Sequence, residues 1–521
     1  MARRQETTTR TSLSPTVPQL AIETCAGRLA PLDGLPPLDH AITWFGPGGC
    51  GPGSPLGSED VIQAMCGLMA VNGRDAGGPR RIGLDVASVA AGLLAAHGAI
   101  AAEIARRRDG TSPVPVVRTS VLQAGLLLMS NYFVVATALG DALPGPPLPA
   151  PGPPFRSADG RWFEIETLDP DPWKEFWGRL GVGAVEAGRG WRVFQWRYER
   201  ATCSCPPELH AAAATKPLAD LHHLAAATGV SLVALRDEPD VRPDESEPSV
   251  RQAGRAPRPE MGGAPGDLPL NGIRMVEATS RIQGPLAGML LRMLGADVVR
   301  IQPPEGDYGR AALCLHRAKE TVRLDLGTRS GRAQLVELID GADVFLHNWR
   351  PGKAAQWGLA FDDLAPQHPH LVYAHTSGWG DRPEARDLIG TDFLVQAHVG
   401  MGHLLAGPGE PPFPSRIVLC DLFGALVGAE GILTGLYRRE QAGGAWEVRS
   451  SLLAGAMALM THGRRRDFVL EPPAPAADLA DNLAADLAAD LAAIAHDPRF
   501  AGLFEPVGAG LAPRSPWTFA R

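Results

Sequence analysis

Asp421 is the residue on which covalent chemistry can be built. It lies in Ser415–Arg439, SRIVLCDLFGALVGAEGILTGLYRR, where it ends the apolar run Ile417–Cys420 and opens an apolar helix-like segment. An Asp at that junction either caps the helix by accepting backbone N–H groups or presents a carboxylate at the positive end of a helix to act as a nucleophile. On this stretch alone both readings stand. Other chemistries lack their marks. No HExxH, GxSxG or GxxxxGK[ST] run occurs, and the strand–helix turn EATSRIQGPLAG, Glu277 to Gly288, lacks the GxGxxG spacing of a dinucleotide site. Ser280, followed by Gly284 and Pro285, instead offers a capped helix start whose free N–H groups can meet a phosphate.

The elements that must hold Asp421 follow from the pattern around it. After residue 268 strand-like runs (GIRMVEAT, ADVVRI, VRLDL, ADVFLHNW, LVYAHTSG) alternate with helix-like ones (PLAGMLLRML, GRAQLVELIDG), which predicts a parallel sheet with helices on both faces. A repeat adds a second constraint. At a constant offset of 333 residues, Gly57 corresponds to Gly390, Gln63 to Gln396, Ala64 to Ala397, Gly67 to Gly400 and Gly98 to Gly431. Asp421 then faces Ser88, so the two copies are not chemically equivalent. Asp85 lies three residues before Ser88 and substitutes only if the loop is redrawn.

Composition bounds the partners. The chain has 521 residues, 45% of them apolar, and a formal charge of -8 with Lys and Arg dispersed apart from clusters at 106–108 and 464–466. That predicts about three domains and argues against nucleic acid as the main partner. The seven cysteines (25, 50, 66, 203, 205, 314, 420) include no CxxC pair, so neither a zinc site nor a disulfide framework is indicated. The polar start MARRQETTTRTSLSP has no apolar run behind it, and a cytoplasmic location is the expectation. The apolar run Val121–Leu139 is interrupted by Ser130, Asn131 and Tyr132 and reads as a buried core helix. Leu479, Leu483, Leu487 and Leu491 place one apolar stripe on a C-terminal helix.

Taken in order, LNGIRMVEATSRIQGPLAGMLLRMLGADVVRIQPPEGDYGR, AKETVRLDLGTRSGRAQLVELIDGADVFLHNWRPG, GLAFDDLAPQHPHLVYAHTSGWG, GTDFLVQA and the Asp421 segment resemble the family III CoA-transferases, the formyl-CoA and carnitine CoA-transferase group. The resemblance covers most of residues 268–462 and extends more weakly to 41–240, HDPRFAGLFEPV and RSPWTF. It implies an α/β fold, a Rossmann-like parallel sheet domain with helices on both faces plus a smaller α+β domain. Residues 1–40 would be a poorly ordered tail and 41–154 a first, partial copy of the family's middle segment. Then follow the small α+β domain at 155–240, a linker at 241–267, the sheet domain with the second middle segment at 268–465, and a C-terminal helix and return segment at 466–521.

The resemblance also implies function. Asp421 matches the family's nucleophile, kept ionised by the helix terminus, and would pass CoA from an acyl-CoA to a carboxylic acid through an aspartyl anhydride and an aspartyl-CoA thioester. CoA, a substrate rather than a resident cofactor, would lie across Ile282, Gln283, Asn348, Trp349, Arg350, Pro351 and Gly352, with Arg310 and Lys319 at its phosphates. Trp349 as core and Lys319 as a solvated charge compete with those roles. The Gly-rich turn 400–412 would cover the thioester. Ala318, His316 and Gln302 stand where the family has a glycine, an asparagine and an acidic residue. One site per chain is expected, in a homodimer, interlocked as in the family, or an internal pseudo-dimer, without metal, nucleic acid or membrane. The alternatives are an α-methylacyl-CoA racemase, whose GHD triplet is here Gly390-Thr391-Asp392 although His398 and His403 lie nearby, and a CoA-binding protein that has lost catalysis.

Overall fold

A computed structural model describes residues 18–32, 35, 40–46, 57–109, 116–139, 152–254, 266–306, 314–382, 385, 387–405, 414–463 and 490–520. Its strands in chain order are β1 (His40–Thr43), β2 (Val116–Ser120), β3 (Phe155–Arg156), β4 (Trp162–Glu166), β5 (Ser231–Ala234), β6 (Ser249–Ala253), β7 (Arg274–Ala278), β8 (Asp297–Gln302), β9 (Glu320–Arg323), β10 (Val344–His347), β11 (Val372–Ser377), β12 (Ala445–Ser451), β13 (Phe504–Val507), β14 (Gly510–Pro513) and β15 (Thr518–Ala520).

The alternating pattern after residue 268 builds a seven-stranded sheet in the order β6-β12-β11-β10-β7-β8-β9. Every pairing is parallel except that of β6 with β12. Val344–His347 is buried throughout, as a central strand covered on both faces must be, whereas Glu320–Arg323 at the edge is mostly exposed. The antiparallel edge strand β6 falls inside the stretch 241–267 expected to be a linker. Its residues SVRQA are polar because one side of an edge strand meets water, and that polarity resembles a linker's.

A smaller sheet, β1-β2-β15, repeats one end of the large one: β1 runs parallel to β2 and β15 antiparallel to it, as β11, β12 and β6 do. Its helix Val86–Asp109 packs against the helix Leu419–Ala442. Both are long and apolar enough to cross a membrane, yet their apolar windows are 100% and 94% buried inside the fold. They are core helices of a protein interior. The run at 121–139 forms two buried helices, Val121–Leu128 and Ser130–Leu139, meeting at 63°.

The tail expected over residues 1–40 contains a described helix, Gln19–Leu29. It packs on Val86–Asp109, and Arg28 Nη2 pairs with buried Glu430 at 2.6 Å. Residues 155–240 carry the antiparallel sheet β3-β4-β5 and a core of their own around Phe155, Phe163, Trp173, Phe176 and Trp177. Leu479, Leu483 and Leu487 lie outside the described residues, and Leu491 is buried at the start of a short helix, Leu491–His496.

Candidate active site

Asp421 is the third residue of the helix Leu419–Ala442, whose N-cap is Val418 without a side-chain cap bond. It is therefore no N-cap. Its side chain is partly exposed and borders a cavity of about 760 Å³ between the carboxyl ends of the sheet strands and the turn preceding the helix Gln283–Met293.

What orients it is Asp392. This residue, fully buried at the start of the helix Asp392–His398, accepts the Asp421 backbone N–H through Oδ2 at 2.9 Å. Gln396 Nε2 donates to Asp392 Oδ1 at 2.6 Å and to the Ser415 carbonyl at 3.1 Å, while its Oε1 accepts the Ser415 N–H at 3.1 Å. The incoming loop, the Asp392 helix and the Asp421 helix are thus tied at one point.

The same cradle is built 333 residues earlier. Glu59 accepts the Ala87 and Ser88 N–H groups, each at 2.9 Å, and Gln63 Nε2 donates to Glu59 Oε1 at 3.1 Å and to the Leu84 carbonyl at 2.9 Å. Gln63 Oε1 accepts the Ile82 N–H at 2.9 Å. Each partner is the counterpart of one in the later network. The outcome differs at the decisive position: Ser88 is 2% exposed and its hydroxyl is spent on Glu59 Oε2 at 2.7 Å, whereas Asp421 faces open space.

The electrostatics correct one expectation. The helix terminus does not by itself keep Asp421 ionised: burial, then the Asp392 carboxylate, push its pKa well above the usual carboxylate range, against the pull of Arg281 and of the Gln283 backbone N–H. Asp392 is also raised, chiefly by burial, and its N–H donors oppose this.

Of the residues the sequence nominated, Gln283, Asn348, Trp349 and Arg350 line the cavity with Asp421. Gln283 is 5% exposed and its Nε2 has no partner. Thr376 and Thr391 on the same walls likewise leave buried Oγ1 atoms unpartnered. Buried donors without acceptors are costly, and all three residues are among those that line the cavity. Trp349 is half-buried, stacked on His347 at 4.5 Å. Gly378 and Gly390 form one wall so closely that a Cβ on either would meet the other's backbone within 2.5 Å.

The remaining nominations fare differently. Ile282 is buried in the core at the N-cap of the Gln283–Met293 helix and does not border the cavity. Lys319 is corrected: its Nζ is held by Glu277 Oε2 at 2.7 Å and the Pro285 carbonyl at 2.8 Å, and its fully buried side chain is out of reach of a phosphate in the cavity. Ala318 just before it has φ +58, the conformation that explains a glycine preference there. Arg310 lies outside the described residues, as do residues 406–412 of the Gly-rich turn. His398 packs edge-on against Trp379 at 5.4 Å.

Residues 40–256 and 270–469 match the CoA-transferase family III. The chain belongs to that family. Among curated proteins, this family III chain is 31% identical over 223 residues to the succinyl-CoA–L-malate CoA-transferase alpha subunit of Chloroflexus aurantiacus, covering 39% of this chain and 49% of that one. It is 31% identical over 230 residues to the probable fatty acyl-CoA transferase Rv3272 of Mycobacterium tuberculosis, covering 40% and 58%. The family III chain thus spans about half the length of the curated relatives it matches. Among solved structures, a CaiB/BaiF family protein from Brucella suis is 26% identical over 37% of this chain and 56% of that chain, with a TM-score of 0.36.

Proposed function

We propose that this chain is a CoA-transferase that exchanges CoA between an acyl-CoA and a free carboxylic acid, with Asp421 as the covalent nucleophile. The observation that carries the reading is the partly exposed Asp421 carboxyl bordering a cavity whose lining includes Gln283, a buried residue with an unpartnered Nε2.

The ionised Asp421 adds to the thioester carbonyl, the C–S bond breaks, and CoA leaves as a thiolate from a mixed aspartyl–acyl anhydride. The thiolate attacks the aspartyl carbonyl and expels the first acid as a carboxylate, leaving an aspartyl-CoA thioester. The second acid's carboxylate attacks that carbonyl and displaces the thiolate. The thiolate then takes the new acyl group and regenerates the Asp421 carboxylate. No net proton is consumed. Splitting one exchange into four additions at carbonyl carbon lowers each barrier, and the Gln283 amide supplies a donor for the oxygen that becomes anionic in each. Arg350, exposed and without a partner among the described residues, suits a CoA phosphate. CoA is substrate here, the location is cytoplasmic, and one site per chain works within a homodimer or an internal pseudo-dimer.

The test is initial-rate kinetics with a panel of acyl-CoAs and acids, run beside an assay of deuterium uptake at the α-carbon. Parallel double-reciprocal lines and net acyl exchange without deuterium uptake support transfer. Uptake without exchange would mean racemisation, and CoA binding without either would mean a binding protein.

A further inference from the structure

The turn between β7 and the Gln283–Met293 helix presents one cation in an unusual way. Arg281 has φ +67, a left-handed conformation that disfavours a side chain with a Cβ. The turn is held in place regardless: Asn348 Oδ1 accepts the Ser280 N–H at 3.0 Å and Asn348 Nδ2 donates to the Ser280 carbonyl at 2.8 Å. Both hydrogen-bonding ends of Asn348 serve this purpose. Strained residues held by their surroundings concentrate at sites of function, and Arg281 is exposed on the wall of the Asp421 cavity, with no ion pair or hydrogen bond among the described residues.

Other cations border the same space and divide the work. Arg350 stands where the cavity meets a second one of about 400 Å³, beside Asp387, Leu388 and Ile389. Lys353 is on the main cavity alone, over the Trp357 ring. Arg382 is committed to Glu245. Arg281 lines the same cavity as Asp421, on the turn that leads into Gln283, and its charge acts on the Asp421 carboxyl. A guanidinium there, at the end of the cavity where acyl groups change hands, is a fork for a planar anion.

We propose that Arg281 is a specificity-determining residue that pairs with a second carboxylate on the acid exchanged at Asp421, so that the favoured substrates are dicarboxylic acids and their CoA monothioesters. This rests on the transfer reading above. The reacting carboxyl is consumed in the anhydride and thioester, whereas the distal one keeps its charge through all four steps, so a fixed guanidinium holds the acid throughout.

The experiment uses acetyl-CoA as donor and matched acceptors, succinate against butyrate and glutarate against valerate, with the full chain and its Arg281→Met and Arg281→Lys variants. The native chain should favour each diacid in kcat/KM by between about tenfold and a hundredfold, the range of a charge-assisted hydrogen-bonded pair. Arg281→Met should bring both ratios to within about threefold of unity, and Arg281→Lys should retain an intermediate preference. An unchanged ratio in Arg281→Met, or a raised KM for acetyl-CoA with the ratio intact, would overturn the assignment, the latter in favour of a CoA phosphate contact. Calorimetric binding of succinate and butyrate with CoA present separates the two claims. A diacid preference in binding that Arg281→Met abolishes supports Arg281 even if no acyl exchange occurs, whereas equal binding of the two acids overturns it.

Discussion

The Asp421 backbone N–H lies 2.9 Å from the Asp392 carboxylate, and 333 residues earlier the Ser88 N–H lies at the same distance from Glu59. One copy of this joint presents a carboxyl to a cavity. The other folds a hydroxyl back onto its own acid.

That contrast predicts what happens if the first copy is given the nucleophile. Ser88→Asp would put a second carboxyl against buried Glu59, removing a 2.7 Å hydrogen bond and adding a like charge in a buried site. The variant should lose more than about 2 kcal/mol of stability and gain no second reactive carboxyl. Denaturant melts at pH 5 and pH 8 check it, with the larger loss at pH 8 where both acids tend to ionise.

The pH dependence of stability has a definite sign. Burial and Asp85 push the Glu59 carboxyl up to about 7, and Asp392 and Asp421 are raised as well. Acids raised in the folded state bind more protons than in the unfolded chain, so their contribution to stability is complete below about pH 4, the unfolded value, and is lost as pH rises through the folded values. Unfolding free energy should fall between about pH 4 and 7, and activity, which needs ionised Asp421, should rise over a range above that of an ordinary carboxylate. Asp392→Asn should shift the activity profile to lower pH.

On the proposed transfer mechanism, Gln283 donates to an oxygen that carries charge only during reaction. Gln283→Ala should lower kcat by about a hundredfold to a thousandfold with little effect on the melting temperature, since no hydrogen bond of its Nε2 is lost. Steady-state rates with one acyl-CoA and acid pair decide this.

Lys319 makes the opposite prediction. Lys319→Met strips the buried Glu277 carboxylate of its ion-pair partner at 2.7 Å and should cost about 3–5 kcal/mol. Replacing both Lys319 and Glu277 with Met should recover much of it. A rise in KM for acyl-CoA in Lys319→Met with stability unchanged would restore the phosphate role.

Much of this arrangement is legible in the order of the amino acids. Strand and helix periods after residue 268 name every strand of the large sheet but β6 and β12, because β6 is polar and edge strands share their composition with linkers. The apolar run ahead of Asp421 marks the helix start. Asp392 leaves a signal that motif spacing does not use: it sits four residues before Gln396 as Glu59 sits four before Gln63, and the repeat alone links the two pairs. Lys319 is misread from sequence because a lysine's spacing says nothing about a buried glutamate two strands away in the sheet. Arg281 escapes notice because a left-handed backbone at a non-glycine residue leaves no trace in composition.

The most direct test of the central claim is a chemical trap. The purified chain and its Asp421→Ala variant are mixed with acyl-CoAs, quenched with hydroxylamine and digested for mass spectrometry. The account predicts a hydroxamate on the Asp421 peptide of the native chain, none on the peptide containing Ser88, and none anywhere in the variant. A chain that exchanges CoA between acids while Asp421 stays unmodified, or an Asp421→Ala variant that still turns over, would contradict it.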